Sequence, residues 1–289
     1  MLSAAGGKVG RNVLYALTIL FFGVPIIWLL LAPTKDVNTL NSAPSLSFGS
    51  FAQLGASIGH LFSYDGGIIW VWASNSIWYT AVSALISVAT AVPAGFALAT
   101  YRFRGSTTVL FTTLMMMIVP PAALILPLYL EMSAVGLVDT PWSVILPLTF
   151  YPFGVYMIYL FTKTSIPGSV LEAARLDGCS ELGILMRIFL PLARPAIAMI
   201  TFFSIVGSWN SFFLPYIMLT SQRLATLQTG LQVLVTGTGA LSGGNLTNID
   251  IHAPDVALAA LISVLPILVV FLFAQRYLAA GQAAGAEKG

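Results

Sequence analysis

The chain has 289 residues, of which 58% are hydrophobic and only 8% are charged, whereas an ordinary soluble domain carries about 25% charged residues. Together with a mean hydropathy of +0.92, this composition excludes a soluble globular protein, because much of the surface must face lipid. A net charge of +2 without a basic cluster gives no case for a nucleic-acid partner, and we predict none. The single cysteine, Cys179, excludes an internal disulfide. The two histidines, His60 and His252, lie far apart in sequence and predict no metal site.

Six apolar runs are each long enough to cross about 30 Å of hydrocarbon, which takes roughly 20 helical residues. They lie near residues 12–32, 74–100, 106–130, 142–162, 195–219 and 256–275. The sequence therefore predicts an all-α integral membrane protein in which residues 1–289 form a single six-span domain. The first run follows basic residues as a signal peptide does, but it is too long for one and ends in a poor cleavage site. We interpret it as a retained anchor helix.

The distribution of Lys and Arg predicts the orientation, because cytoplasmic loops carry an excess of positive charge. With the N-terminus inside, ten of the twelve basic residues fall on the cytoplasmic side, and only Lys35 and Arg223 fall outside. We therefore expect cytoplasmic termini, a long outer loop at about 33–72 and a cytoplasmic segment at about 164–193. Three tryptophans near the outer end of the second span are interpreted as an aromatic belt: Trp70, Trp72 and Trp78.

The six runs contain no Asp, Glu, Lys, Arg or His. Proton pumps and many ion-coupled carriers place ionisable groups at membrane depth, so this composition argues against self-energised transport. Proline is instead frequent within or beside the runs: Pro25, Pro93, Pro120, Pro121, Pro127, Pro147, Pro152, Pro215 and Pro266. These prolines either bend helices that frame a cavity or form kinks whose free backbone groups are satisfied by neighbouring helices. The sequence leaves both interpretations open.

The cytoplasmic segment between the fourth and fifth spans holds the most informative pattern. Ser169–Glu172 has the form of a capping box and predicts the start of a short helix. Asp177-Gly178 predicts its end, because glycine takes the left-handed conformation without strain. Ser180 then predicts the cap of a second helix that runs to Pro191. The apolar positions of the first helix are Val170, Leu171, Ala174 and Leu176. A two-turn helix is unstable alone in water, so it must pack against this chain's own spans or against a partner.

The same segment resembles the EAA motif of permeases from binding-protein-dependent ABC importers, in which EAA, G and I-x-L-P stand at fixed offsets. The matching residues are Glu172, Ala173, Ala174, Asp177, Gly178, Ile188, Leu190 and Pro191. The resemblance implies the fold of a type I importer permease, with six transmembrane helices and a cytoplasmic coupling helix. In that family the coupling helix sits in a groove of an ATPase subunit and transmits its closure to the spans. Cys179 and Leu185 depart from the commoner residues of the motif but remain apolar.

Two weaker resemblances point to carbohydrate importers of the maltose type. Ser208–Pro215 resembles the SWN(E/D)F segment of these permeases. Ser211 stands in place of the usual Glu or Asp. The C-terminal residues from Gln275 to Gly289 resemble the tail of a maltose-type permease that ends near the ATPases. These similarities imply that the solute is a sugar.

The partners follow from the resemblance and from what the sequence lacks. Without a GxxxxGK[ST] loop the chain cannot hydrolyse ATP unaided, so it is not an enzyme and has no catalytic residues. We predict no cofactor and no metal in this chain, with ATP and Mg²⁺ bound by two partner ATPase subunits. Six spans without an internal repeat also require a second permease subunit, and an extracellular binding protein or lipoprotein would deliver the solute. Three polar residues before the last span have the side chains of metal ligands, but a solvated loop is the simpler interpretation: Asp250, His252 and Asp255.

Small residues recur on one face of the fifth span, at i, i+3, i+4 and i+7. They are Ser204, Gly207, Ser208 and Ser211. Close helix packing is the simpler explanation. The alternative is a substrate path in which Ser208, Trp209 and Asn210 contact a neutral sugar through an aromatic ring, an amide and a hydroxyl.

These features predict one permease subunit of an ATP-driven sugar importer in a prokaryotic plasma membrane. An ABC permease for another solute, such as glycerol phosphate, is the first alternative. It would require cationic groups in the cavity, supplied by the partner chain. An ATP-independent channel or scaffold subunit is the alternative from a different class.

Overall fold

The structure is a computed structural model that describes the backbone of residues 2–238 and 251–286 and the side chains of residues 10–238 and 251–275. Every regular element in these ranges is helical, which confirms the predicted all-α class. A π-helix at Ile184–Phe189 lies between α10 and α11. The helices in chain order are α1 (Leu2–Leu31), α2 (Val37–Ser42), α3 (Phe51–Ser63), α4 (Ile68–Thr100), α5 (Ser106–Ile118), α6 (Pro121–Ala134), α7 (Pro141–Thr149), α8 (Pro152–Ser165), α9 (Gly168–Leu176), α10 (Glu181–Gly183), α11 (Leu190–Leu192), α12 (Arg194–Trp209), α13 (Phe213–Met218), α14 (Leu227–Gly237) and α15 (Ala253–Ala286).

Four helical stretches of the described chain are long and apolar enough to cross a membrane. They are Gly10–Thr34, Ile68–Thr100, Pro141–Ser165 and Ala253–Gln275. Two bent helix pairs also qualify, α5 with α6 and Glu181–Leu192 with α12. The number of spans is therefore four, or up to six if each bent pair crosses the membrane once.

The third and fifth predicted spans differ from straight helices. The run at 106–130 bends by 107° between α5 and α6, because the consecutive Pro120 and Pro121 both lack an N–H and push Val119 into an extended conformation. The run at 195–219 is a continuous helix only as far as Trp209 and meets the preceding helical segment at 80°. One tight bend thus lies within the third predicted span, and the other directly precedes the fifth.

The chain divides into two compact units: residues up to Val71 with Gly230–Leu265, and Trp72–Thr229 with the chain from Pro266 onward. In the first unit, the segment between α1 and α3 folds back on itself. The buried Lys35 donates from Nζ to the backbone oxygens of Pro44 and Ser45, at 2.8 and 3.1 Å. These bonds satisfy an ammonium group that would otherwise be costly to bury.

The second unit has an apolar core between α4, α8, α12 and the segment that joins α8 to α12. Its most buried members are Ala91, Phe96, Ile158, Ile184, Phe189, Ala193 and Ile200. The EAA-like segment therefore packs against the protein's own spans, one of the two possibilities left open for its first helix.

Asp139 ties the loop after α6 to the segment after α13 in the same unit. Its Oδ1 accepts the backbone N–H groups of Thr220 and Ser221, at 2.8 and 2.9 Å. These hydrogen bonds, first that from Ser221, hold the pKa of Asp139 below its ordinary value. The side chain is thus an ionised acceptor that fixes the loop after α6 to the segment after α13.

One of the three tryptophans predicted to form an aromatic belt is buried. Trp72 is inaccessible to solvent and donates from Nε1 to the backbone oxygen of Gln222 at 2.8 Å. Trp70 and Trp78 are exposed. The belt prediction is therefore wrong for Trp72, because its indole N–H finds a backbone acceptor far along the chain.

Gly95 is expected to be essential for the packing of α4 against α8. A Cβ atom at this position would lie 2.6 Å from the oxygen of Val155 and 2.7 Å from Cβ of Ile158. We expect Gly95→Ala to lower the free energy of unfolding by about 1–3 kcal/mol, the usual range for overpacking. The measurement is the thermal unfolding midpoint of the purified chain in detergent. Gly207→Ala is the control, because a Cβ there meets nothing within 4 Å; equal midpoints for the two variants would contradict the prediction.

Candidate functional site

The EAA-like segment begins with α9, which starts at Gly168 and has Pro167 at its N-cap position. No side chain described in this segment caps the helix. The predicted capping box between Ser169 and Glu172 is therefore wrong. Proline cannot donate a backbone hydrogen bond and holds the preceding residue in an extended conformation, so the helix starts directly after it. Ser169 consequently lies inside the first turn, where its side chain cannot act as the N-cap.

α9 is amphipathic and is anchored through few residues. Leu171 and Ala174 are buried in the apolar core of the second unit. Glu172 and Ala173 are exposed. Leu176, one of the predicted apolar positions, is also exposed, with 88% of its surface accessible. The helix thus packs on its own spans through one side and leaves the first two residues of the EAA triplet available to a partner.

The end of α9 is as predicted. Gly178 has a φ of +79°, and its N–H donates to the oxygen of Arg175 at 3.0 Å. The N–H of Cys179 donates to the oxygen of Ala174, also at 3.0 Å. This pair of bonds is a Schellman motif, in which a left-handed residue satisfies the last free carbonyl groups of a helix. Gly178 therefore redirects the chain sharply after Asp177.

The second helical stretch is also capped as predicted, by Ser180, whose Oγ accepts the N–H of Gly183 at 3.2 Å. Its middle is a π-helix, which was not predicted from the sequence. The N–H of Leu190 bonds to the oxygen of Leu185, five residues earlier. Pro191 explains the change, because it has no N–H to bond the fourth preceding carbonyl and its ring would clash with that group. Ile188 and Leu190 are half-buried there, and Pro191 is exposed.

Three side chains tie the two helices of the segment to the end of α4. Arg175 Nε donates to Glu181 Oε1 at 2.8 Å, and the hydroxyl of Tyr101 donates to Glu181 Oε2 at 2.5 Å. The guanidinium of Arg175 also lies 5.9 Å from the centre of the Tyr101 ring. Burial, followed by the hydrogen bond to Glu181, raises the pKa of Tyr101, so the phenol remains a donor. This network was not predicted from the sequence, although Arg175 and Glu181 flank the predicted Gly178 turn with opposite charges.

A cavity of about 570 Å³ lies in the second unit, next to α12. All four small residues predicted to share one face of the fifth span line it: Ser204, Gly207, Ser208 and Ser211. Aromatic rings line it as well: Phe150, Tyr151, Phe203, Phe212 and Phe213. None of the residues that line this cavity is charged at neutral pH. Trp209 is buried and Asn210 is exposed at the end of α12, and neither lines the cavity. The three residues of the proposed substrate path therefore occupy different surroundings.

A family model described as "Binding-protein-dependent transport system inner membrane component" matches residues 91–283, more than half of the chain. The chain belongs to this family. The match includes the EAA-like segment and α12, and it confirms the family inferred from the spacing of the EAA residues. The protein is therefore a multi-pass membrane component of a binding-protein-dependent transporter, which we refer to as the permease.

Two relatives of the permease are both named "Arabinooligosaccharides transport system permease protein AraQ". The one from Halalkalibacterium halodurans is 34% identical over 225 residues, which cover 78% of this chain and 76% of the relative. The one from Bacillus subtilis is 28% identical over 283 residues, which cover 98% and 96% of the two chains. The similarity to the second relative thus extends over nearly the full length of both chains.

The fold is also found in a solved structure, described as a bacterial ABC transporter involved in the import of the acidic polysaccharide alginate. A chain of that structure superimposes on the permease with a TM-score of 0.82, over 96% of this chain and 98% of that one, at 24% identity. The likeness confirms the fold of an ABC importer permease.

Large apolar side chains of the permease are exposed in and near the EAA segment. Besides Leu176, they include Leu182 and Met186, which are 66% and 54% exposed. These two residues are four positions apart, a spacing that places side chains on the same side of a helix. Exposed apolar surface outside the predicted spans needs a protein or lipid partner. The signal is present in the sequence as the spacing of Leu182 and Met186, but no role was predicted for either residue.

The solvated loop predicted before the last span is wrong for one of its residues. Asp255 is buried, and its Oδ2 accepts the backbone N–H of His252 at 2.9 Å, at the start of α15. His252 itself is partly exposed, and Asp250 lies outside the described residues. Burial of Asp255 could not be read from the sequence, because it depends on residues distant along the chain.

Proposed function

We propose that the permease is one of two membrane subunits of an ATP-driven importer that takes up a sugar or oligosaccharide across a prokaryotic plasma membrane. The observation that carries the proposal is the presentation of the EAA residues. Glu172 and Ala173 are exposed on a short helix that Leu171 and Ala174 anchor to the spans. The sugar assignment is supported by the two relatives named for arabinooligosaccharide transport.

The contacts of the EAA segment suggest how movement of an ATPase would reach the cavity. A displacement of α9 by the ATPase would be transmitted to α10 through the ion pair of Arg175 with Glu181. It would reach the end of α4 through the hydrogen bond of Tyr101 with Glu181. It also passes along the π-helix to α12, since Phe189 and Ile200 share one apolar core. α12 carries the small residues that line the cavity. Packed side chains do not compress, so the displacement is transmitted rather than absorbed.

The remaining parts of the importer are supplied by partners in this proposal. Two ATPase subunits bind ATP and Mg²⁺ and dock on the exposed residues of the EAA segment. A second permease subunit completes the translocation path, and an extracellular binding protein or lipoprotein delivers the sugar. The permease itself binds no nucleotide, because it lacks a phosphate-binding loop.

We expect Cys179 to lie on the cytoplasmic side together with both termini, because ten of twelve basic residues fall there in this orientation. A membrane-impermeant maleimide should label Cys179 in inverted vesicles and not in intact cells, and ATPase subunits should reduce the labelling. As a matched control, Ser42→Cys in a Cys179→Ser background should be labelled from outside only, since Ser42 is exposed in the outer loop. Labelling of Cys179 in intact cells would contradict the predicted orientation of the permease.

Uptake of labelled sugar by the reconstituted importer tests the function itself. We expect uptake that depends on the binding protein and is lost when the partner ATPase carries a substitution that prevents hydrolysis. Uptake that persists with the inactive ATPase would favour a channel. Uptake of glycerol phosphate in preference to sugar would favour the other solute class.

A further inference from the structure

The only two histidines of the chain meet a buried aspartate in the first unit. His60 lies in the last turn of α3, His252 directly precedes α15, and Asp255 lies in its first turn. The Nδ1 atoms of His60 and His252 are 3.9 and 3.7 Å from Oδ2 of Asp255. One ligand atom from each of the three residues lies within 4.8 Å of the other two. Residues almost 200 positions apart in sequence thus converge on one point.

Asp255 has one backbone hydrogen bond, since its Oδ2 accepts the N–H of His252 at 2.9 Å, but among the described residues it has no fully charged cationic partner. Only 2% of its side chain is exposed, and a buried carboxylate is costly unless it is paired. In the part of the chain that the structure describes, no Lys or Arg forms an ion pair with it, and the two imidazoles are its only basic partners within 4 Å. Both lie beyond hydrogen-bond distance of its oxygen. The carboxylate therefore faces two nitrogen ligands across a gap.

We propose that His60, His252 and Asp255 bind a divalent transition-metal ion, with zinc as the best match. Zinc takes imidazole nitrogens at about 2.0–2.1 Å and carboxylate oxygens at about 2.0–2.2 Å, so ligand atoms of a tetrahedral site lie about 3.3 Å apart. The two nitrogen–oxygen separations exceed that value by 0.6 Å or less. The three ligand atoms lie within 4.8 Å of one another, and the histidine side chains are 49% and 39% exposed. Rotation of the two rings would bring the ligand atoms to the tetrahedral spacing, with water as the fourth ligand.

The ligand set favours zinc and its neighbours over calcium or magnesium. Ca²⁺ and Mg²⁺ prefer oxygen ligands alone, whereas imidazole suits zinc, copper, nickel and iron. An ion at this site joins the end of α3 to the start of α15. In the orientation proposed above, this joint lies on the outer side, among the segments available to a binding protein. The ion is therefore a structural crosslink between these two helices, and its placement on the outer face rests on the proposed function.

Metal binding is tested with the full-length permease, purified through a tag without histidines and stripped with a chelator. After dialysis against ZnCl₂, mass spectrometry of bound metal should give one zinc ion per chain. We expect His60→Ala and His252→Ala each to weaken zinc binding by at least about tenfold, since loss even of an outer-shell partner costs 10–100-fold. Asp65→Asn, a change at an exposed acid in the same outer segment, should leave the binding unchanged.

Cobalt offers a second readout, because a tetrahedral site that contains nitrogen ligands gives Co²⁺ a visible absorption much stronger than that of the octahedral hydrated ion and at longer wavelength. This absorption should appear in the wild type and in Asp65→Asn and should be absent from His60→Ala. Asp255→Asn would also disturb the start of α15, where Asp255 accepts a backbone hydrogen bond. His60→Ala is therefore the variant that decides whether the site binds metal, because His60 is partly exposed. Less than stoichiometric zinc in the wild type, or wild-type affinity after loss of both histidines, would overturn the proposal. Neither result would bear on sugar uptake, so failure of this site is distinguishable from failure of the proposed function.

Discussion

Replacement of Gly178 by valine is expected to abolish solute uptake while the permease remains in the membrane at its normal level. Gly178 closes α9 with a φ of +79°, a conformation that costs a residue with a side chain on the order of 1–2 kcal/mol, and more if it is β-branched. A Cβ atom there would meet nothing within 4 Å of this chain. The defect therefore arises from the backbone of the turn and from obstruction of the docked ATPase, and overpacking of the spans contributes nothing.

The measurements are uptake by reconstituted vesicles and the amount of ATPase that co-purifies with the variant. Gly168→Val is the matched control, because Gly168 is also exposed and free of neighbours within 4 Å but has no positive φ. We expect Gly168→Val to retain most of the uptake and the ATPase. Normal uptake with Gly178→Val would show that this turn is not needed for coupling to the ATPase.

Local chemistry explains which parts of the EAA segment could be predicted from the sequence. The turn at Gly178 and the cap at Ser180 follow from rules that involve only a few neighbouring residues, and both are confirmed. The capping box at Ser169 failed because a second local rule, the start of a helix directly after Pro167, took precedence. The π-helix has a local cause in Pro191, but an apolar run with a proline in it does not distinguish a π-helix from a kink.

Features that depend on distant parts of the chain could not be predicted. The burial of Trp72 depends on a backbone oxygen 150 residues away, at Gln222. The approach of His60 to Asp255 requires α3 and α15 to meet in one unit. The cavity is an intermediate case. The spacing of small residues on α12 was visible in the sequence, but the aromatic rings opposite them come from other helices. Hydropathy identified the apolar runs but not their bends.

The imported solute is expected to be neutral and rich in hydroxyl groups. The residues that line the cavity offer hydroxyls and aromatic rings but no charge. A phosphate or carboxylate buried there without a cation would cost several kcal/mol. Hydroxyl groups of a sugar can instead bond to Ser208 and bound water, and its apolar faces can stack on rings such as Phe212.

The solute class is tested by measuring uptake of neutral and anionic solutes by the reconstituted importer at saturating binding protein. We expect neutral oligosaccharides to be preferred. Ser208→Ala should lower their uptake about fivefold, which corresponds to one lost hydrogen bond of about 1 kcal/mol. Thr201→Val is the control, because Thr201 lies on the same helix, bonds to the oxygen of Ile197 and does not line the cavity. Trp209→Ala combined with Asn210→Ala tests the other two residues of the proposed substrate path, which do not line the cavity. If the path extends beyond the cavity to both side chains, the double variant should reduce uptake more than either single variant. Preference for an anionic solute, with all these variants as active as the wild type, would assign selectivity to the second permease subunit.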